Sequence, residues 1–361
     1  PRTFEVPLEE GYHKFSMEYF EKAYLAGMVL SWTLTPTQPA MPIGPKSFFH
    51  ASTDALFMAP KMPELLAVVN GHGQNVKGVS YDPNARMVAV AGEDRKVRLY
   101  DPATQRDMGL PATHPAGVLC VAFAPNGATF ATGCRDNKVR IWDSRNRTEL
   151  RTLEGFTSYV QCVAFSPDGK KIAAGSFDRT IRVWNLETEE DRILGGTNGS
   201  NGHTAGVESI AFSKDGKKLA SGGSDHTLRI WEVEGTNPPV VMEAHADYVS
   251  SVAYSPGGRT LVTAGWDSLL KLWDSETEKE IKVLGGHGAE LSFVTFSPDG
   301  SRMATGGNDG TIRIWDPATG REVKVLPGHT ARVTSLSYAP TGKVLVSGSD
   351  DGTVRFWTTD K

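Results

Sequence analysis

The stretch GHGAELSFVTFSPDGSRMATGGNDGTIRIWD, residues 286–316, decides the fold. It opens on His287, turns at Ser-Pro-Asp-Gly (297–300) and carries Asp309 22 residues after the histidine. It closes on Ile-Arg-Ile-Trp-Asp (312–316), with Trp315 28 residues after the histidine. The closing segment alternates like a strand, and the Pro-Asp-Gly run marks a turn. The frame recurs along the chain. His72, His114, His203, His245 and His329 open equivalent units, and Phe156 fills the remaining place. Starts are 42 residues apart, except for one step of 47 between Phe156 and His203. Twenty-two residues after the starts lie Asp94, Asp136, Asp178, Asp225, Asp267, Asp309 and Asp351. Twenty-eight residues after them lie Tyr100, Trp142, Trp184, Trp231, Trp273, Trp315 and Trp357.

Each unit reads as four short strands. Val160–Phe165 and Val207–Phe212 alternate apolar with small or polar residues, and Lys171–Gly175 and Lys218–Gly222 follow as second strands. A tight turn holds the aspartate, a third strand ends at the aromatic, and a more polar fourth strand, such as Glu280–Leu284, closes the unit. Four antiparallel strands per unit is a propeller blade. With Gly-His at 71–72, 202–203, 286–287 and 328–329 and Trp-Asp at 142–143, 273–274 and 315–316, residues 64–361 resemble the WD40-repeat family. The resemblance implies an all-β, seven-bladed WD40 β-propeller. The seventh unit stops four residues after Trp357, before any fourth strand. Glu64–Asn70 aligns with Glu280–Gly285, placing Leu66 and Val68 where Ile281 and Val283 fall. This N-terminal strand is expected to close the ring and remove its free edge. The chain thus divides into an arm, 1–63, and a propeller, 64–361.

Composition agrees with a turn-rich globular fold. Among 361 residues there are 38 glycines, about a tenth of the chain against the usual ~7%. Charged residues are 22% and the formal net charge is −4, which argues against a surface built for nucleic acid. Cys120, Cys134 and Cys162 form no disulfide framework and read as buried thiols in a reducing compartment. The start carries Glu5, Glu9 and Glu10 rather than a basic, apolar leader, so a cytoplasmic location is expected. The apolar run Ala23–Leu34 is too short to span a bilayer.

The repeated polar residues look like chemistry and are expected to be scaffold. His203, Ser221, Asp225 and Trp231 recur as His287, Thr305, Asp309 and Trp315, and again in three further units. A Ser-His-Asp triad occurs once in an enzyme, not five times. The resemblance implies a hydrogen-bond chain from indole through hydroxyl and imidazole to carboxylate. Two units depart from it: the first has Val90 and Tyr100, the third Phe156 and Ala174. No phosphate-binding loop is present, and six of nine histidines belong to the repeat. No catalytic residue, cofactor or metal is therefore assigned.

If the repeat is scaffold, function lies on the surfaces it holds. The resemblance implies docking on the ring face at the entry to each first strand and beside each turn aspartate. The aromatics there are uneven: Tyr159 and Phe177 in blade 3, Tyr248 and Trp266 in blade 5, with the small Gly206 and Ser224 between and Arg135 flanking from blade 2. Aromatics and arginine are what binding hot spots favour. Six of eight tryptophans sit at the repeat position; the exceptions are Trp266 and Trp32.

In the arm, Phe15–Trp32 reads as a helix capped by Ser16, followed by Pro36, Pro39, Pro42 and Pro45 at the polyproline II period. So apolar a segment is expected to lie on its own propeller or on another subunit. The reading is of a non-catalytic protein–protein scaffold, a structural subunit of a larger assembly anchored by its arm. A reader of modified peptides or regulatory hub, and a peripheral subunit docked on a membrane protein complex, remain as alternatives.

Overall fold

The computed structural model describes residues 64–70, 72–109, 113–195 and 201–359, together with the backbone of 2–8, 11–19 and 28–30. The chain divides into two units, Pro1–Lys61 and Met62–Lys361. In the first, Arg2–Leu8, Gly11–Tyr19 and Met28–Leu30 pair antiparallel in chain order. The helix expected over Phe15–Trp32 overlaps two of these strands. There Phe15, Met17 and Tyr19 alternate with Ser16 and Glu18 at the period of a strand. The rest of that span, Trp32 included, and the spaced prolines lie outside the described residues.

The second unit is a seven-bladed β-propeller. Blade 6 shows the plan: Leu291–Phe296, Met303–Gly307, Ile312–Asp316 and Arg321–Leu326 pair in that order from the ring axis outward. Blades 2 to 5 repeat it with first strands Val118–Phe123, Val160–Phe165, Val207–Phe212 and Val249–Tyr254. Blade 7 takes three strands from the end of the chain and its outer strand, Leu65–Val69, from near the start, with Val354 opposite Val69 and Trp357 opposite Leu65. Leu66 and Val68 are exposed, as are Ile281 and Val283, to which they align. Each first strand lies beside those of both neighbours, and Val333–Tyr338 lies beside Val76–Tyr81, so the ring is closed.

Blade 1 departs from the four-strand expectation. Val76–Tyr81, Val88–Gly92 and Val97–Tyr100 form its sheet, and among the described residues the outer position holds two isolated bridges, Tyr100 to Asp107 and Lys96 to Thr113. Gly109 adopts φ +93° shortly after Asp107.

The core lies between blades. Ala131, Val139 and Ile141 of blade 2 pack with Val160, Ile172 and Trp184 of blade 3 in one cluster. The seam is tight enough to dictate glycine: a Cβ on Gly175 would sit 2.5 Å from Val207 Cγ1, and one on Gly348 2.5 Å from Val76 Cγ1 across the closing seam. Some of the glycine content therefore serves close blade contact, besides turns. Hydroxyls stitch the same seams. Ser335 Oγ accepts from Val79 N at 3.1 Å, Ser251 Oγ from Val294 N at 3.1 Å and Ser209 Oγ from Val252 N at 3.1 Å.

Candidate functional site: the face around the channel mouth

The repeated polar residues form the chains that hold this face in place. In blade 4, Trp231 Nε1 donates to Ser221 Oγ at 2.8 Å, Ser221 Oγ lies 2.7 Å from His203 Nε2, and His203 Nδ1 lies 2.9 Å from Asp225. Blade 6 repeats this with Trp315 to Thr305 at 2.8 Å, Thr305 to His287 at 2.8 Å and His287 to Asp309 at 3.0 Å. Blades 5 and 7 match them through Trp273, Thr263, His245 and Asp267 and through Trp357, Ser347, His329 and Asp351. In blades 4, 5 and 7 a neutral histidine closes the chain: indole N–H to hydroxyl oxygen, hydroxyl to Nε2, Nδ1–H to carboxylate. Burial holds His203, His245 and His329 below the ordinary histidine pKa, although the facing aspartates oppose it. Burial alone would raise Asp225, but the hydrogen bonds it accepts from His203, the Thr204 N–H and Thr227 outweigh it and hold the carboxyl below its usual range. In blades 4 to 7 each ring nitrogen, hydroxyl and indole N–H of the chain has a partner within the blade.

Three blades differ. In blade 2, expected to be complete, Trp142 and His114 both reach Thr132 at 3.0 Å, but Asp136 is taken by Arg140, whose Nη2 lies 2.6 Å away. His114 Nδ1 is buried without a partner among the described residues, and burial lowers its pKa to about 4. In blade 1, His72 Nδ1 meets Asp94 at 2.9 Å, but Val90 offers no hydroxyl, and both His72 Nε2 and Tyr100 Oη are buried without a partner among the described residues. In blade 3, Phe156 packs edge-on against Trp184 with ring centroids 5.8 Å apart, an apolar contact in place of the polar chain.

The residues singled out on the face come together in pairs. In each blade the residue before the turn aspartate donates its N–H to the carbonyl of the residue at the first-strand entry: Arg135 to Gly117 at 2.9 Å, Phe177 to Tyr159 at 3.0 Å, Ser224 to Gly206 at 2.8 Å and Trp266 to Tyr248 at 3.0 Å. Side chains extend the pairing. Arg135 Nη2 bonds Glu93 at 2.7 Å, and its guanidinium lies 5.0 Å from the Tyr159 ring centroid. Tyr159 stacks on Phe177 at 5.9 Å, and Phe177 covers Gly206, where a Cβ would meet its Cδ2 at 2.6 Å. Phe177 is 51% exposed and Tyr159 40%, a large apolar area facing solvent. In blade 5, Tyr248 and Trp266 lie 4.9 Å apart, both half-buried, with His226 of blade 4 against Tyr248 at 6.0 Å. The position of Trp32 lies outside the described residues.

The repeat places Lys77, Leu119, Gln161, Glu208, Ser250, Ser292 and Thr334 after each first-strand entry, but not the bulge that carries them. Every first strand has a bulge at its second residue, leaving these residues outside the ladder. A bulge re-aims the extra side chain. All seven line a channel cavity of about 310 Å³, with Arg135, Trp266 and Arg332. Ser250 and Thr334 donate to the carbonyls of Leu291 and Val76 in the next blades, at 2.7 and 2.8 Å. Glu208 accepts from Ser224 Oγ at 2.5 Å and Gln161 Nε2 at 3.1 Å. A larger recess of about 980 Å³ between blades 4 and 5, lined by Lys214, Asp215, Lys218 and Glu276 among others, is mixed in charge and has no such aromatic cluster.

Among the described residues, no group of three or more His, Cys, Asp or Glu is placed to hold a metal ion, and no helix is long and apolar enough to cross a membrane. The cysteines are free, and burial raises the Cys120 thiol to about 12.

Comparison with curated proteins finds no match. The family model of the WD domain, G-beta repeat, matches seven times, at residues 63–101, 110–143, 147–185, 197–232, 237–274, 278–316 and 320–358. The match at 278–316 runs from the outer strand of blade 5 through the three inner strands of blade 6. The first match does the same between blades 7 and 1, so the repeat's own phase produces the ring closure. With seven matched repeats folded into seven blades, the chain belongs to the WD40-repeat family of β-propellers.

Proposed function

We propose that this chain is a non-catalytic scaffold that captures a protein partner on the channel-mouth face of blades 2 to 5. Propellers of this family generally serve as interaction scaffolds rather than catalysts. The observation that carries the reading is the run Arg135–Tyr159–Phe177, continuous across blades 2 and 3 and half open to solvent. Aromatic and arginine side chains held rigidly at a surface contribute most per residue to protein association. The Tyr248–Trp266 pair would form the second anchor across the small residues of blade 4.

Within this reading the chain is a structural subunit of a larger assembly, and the segment 1–63 is its anchor. The uncharged run Ala23–Leu34 supports that role. Affinity purification with the full chain, with Tyr248→Ala/Trp266→Ala and with residues 62–361 tests both parts. The expected result is loss of the face partner in the double variant and loss of the assembly in the truncation. Recovery of the same proteins by all three would refute the reading.

A further inference from the structure

The turn that presents Arg135 is anchored differently from its counterparts. In blade 4, Asp225 holds its turn through His203, the Thr204 N–H at 2.8 Å and the Thr227 hydroxyl at 2.7 Å. Blade 7 has the same three donors in His329, the Thr330 N–H at 3.0 Å and the Thr353 hydroxyl at 2.6 Å. Blade 5 keeps the histidine and the Ala246 N–H at 3.0 Å, and blade 6 the histidine and the Thr311 hydroxyl at 2.8 Å.

Blade 2 departs at every one of these places. Pro115, at the place of Thr204, has no N–H, and Lys138, at the place of Thr227, has no hydroxyl. Cys134 stands where blades 4 and 6 have Gly223 and Gly307, and a Cβ on either glycine would lie 2.5 Å from the histidine Nδ1. Blade 7 accepts Ser349 at that place because Thr330 and Thr353 still fix its carboxylate. Without those donors Asp136 turns to Arg140, 2.6 Å from Nη2 and 3.2 Å from Nη1. Arginine alone does not explain the exchange: Arg229 and Arg313 stand at the same place and stay 3.6 and 3.8 Å from their aspartates. In blade 1, Gly73 and Lys96 likewise give Asp94 neither that N–H nor a hydroxyl among the described residues, and there Arg98 closes on it at 2.8 Å. These roles are readable only against the bonds of the other blades. The Arg140–Asp136 pair is two-pronged and largely shielded, with side chains 10% and 14% exposed, a geometry that fixes direction as well as distance.

We infer that Arg140 is a positioning residue for partner recognition: through Asp136 it sets the turn from which Arg135 reaches the Tyr159 ring. Asp136 faces inward to Arg140, and Arg135, the residue before it, faces Glu93 and Tyr159. The inference rests on the face being the partner surface, as proposed above.

The test is NMR of the full chain, labelled at arginine and read at the Arg135 side chain, whose protons the Tyr159 ring shifts upfield. Tyr159→Leu marks their position without the ring. In Arg140→Met the Arg135 signals are expected to move most of the way to that position. In Arg140→Lys, which keeps the charge and loses the two-pronged contact, they should move part of the way, and this variant serves should Arg140→Met fold poorly. Adding Pro115→Thr/Cys134→Gly/Lys138→Thr rebuilds the blade 4 anchor around His114 and should bring the signals back. Ser221→Ala, which weakens blade 4 instead, should leave them in place, so lost stability by itself does not produce the shift. Arg135 signals unmoved in the folded Arg140 variants, not restored by the rebuilt anchor, or moved equally by Ser221→Ala would overturn the inference and leave the face reading standing. Full partner capture by both Arg135→Ala and Tyr248→Ala/Trp266→Ala refutes the face reading, and the positioning role with it.

Discussion

The guanidinium of Arg135 lies 5.0 Å from the centroid of the Tyr159 ring while its Nη2 bonds Glu93 at 2.7 Å, so one side chain ties blades 1, 2 and 3 together at the channel mouth. Because Arg135 is exposed, the ion pair itself is worth little, about 1 kcal/mol or less. Its larger role in this account is to hold Tyr159 at a fixed angle. Arg135→Ala should shift chemical denaturation by no more than about 1 kcal/mol while weakening partner capture several-fold. A large loss of stability with normal capture would make it a structural residue instead.

Gly206 is required by its neighbour. A Cβ there would meet Phe177 Cδ2 at 2.6 Å, and the phenyl ring, half open to solvent, has room to move away. Gly206→Ala should therefore leave the fold intact, displace the ring and reduce capture. A crystal structure of the variant with Phe177 unmoved would contradict this.

Blade 1 offers a gain in stability. Val90 occupies the site of the bridging hydroxyl, and His72 Nε2 and Tyr100 Oη have no partner among the described residues. Val90→Thr is nearly isosteric and supplies the missing group, so urea denaturation should show a gain of about 1 kcal/mol. The opposite change, Ser221→Ala in blade 4, strands both Trp231 Nε1 and His203 Nε2 and should cost about 2 to 4 kcal/mol. No gain from the first, or no loss from the second, would break the accounting of the polar chains.

Acid should destabilise the propeller in two stages. His72, His114, His203, His245 and His329 have folded pKa values below the ordinary histidine value because burial favours the neutral ring. Below about pH 6.5 the unfolded chain binds protons that the folded chain refuses, so stability falls as pH falls, by up to about 1.4 kcal/mol per unit per histidine. For His114 the window runs down to about 4. The depressed aspartates Asp225, Asp309 and Asp351 then release their stabilisation below the usual carboxylate range. Melting temperature measured from pH 7 to pH 3 should decline throughout; a flat profile between pH 6.5 and 4.5 would contradict the neutral-histidine chains.

The ring and its polar chains were legible because both are written at fixed spacing: His203, Ser221, Asp225 and Trp231 announce one blade and its repetition announces seven. Closure by Leu65–Val69 was legible for the same reason. The bulge that turns Glu208 into the channel was not, since one extra residue in a strand leaves no period behind. The interblade contact of Gly175 with Val207 was equally hidden, because a glycine in a strand looks the same whether it serves a turn or a tight seam. The capture of Asp136 by Arg140 could not be told from sequence, for Arg229 and Arg313 occupy the same place in blades whose histidines keep their aspartates. On the face, the residue pairs could be named from the repeat, but the stacking order Arg135, Tyr159, Phe177, Gly206 emerged only in three dimensions.

The central claim is that scaffold and recognition are separate sets of residues on the same blades. Thr263 and Trp266 of blade 5 test it directly, being three residues apart, one within the polar chain and one lining the channel. The measurement is thermal melting and partner capture for Thr263→Val and Trp266→Ala side by side. The account predicts that Thr263→Val melts several degrees lower yet captures normally below its melting point, while Trp266→Ala melts within a few degrees of the parent and loses capture. Loss of capture in the folded Thr263→Val protein, or full capture by Trp266→Ala, would contradict it.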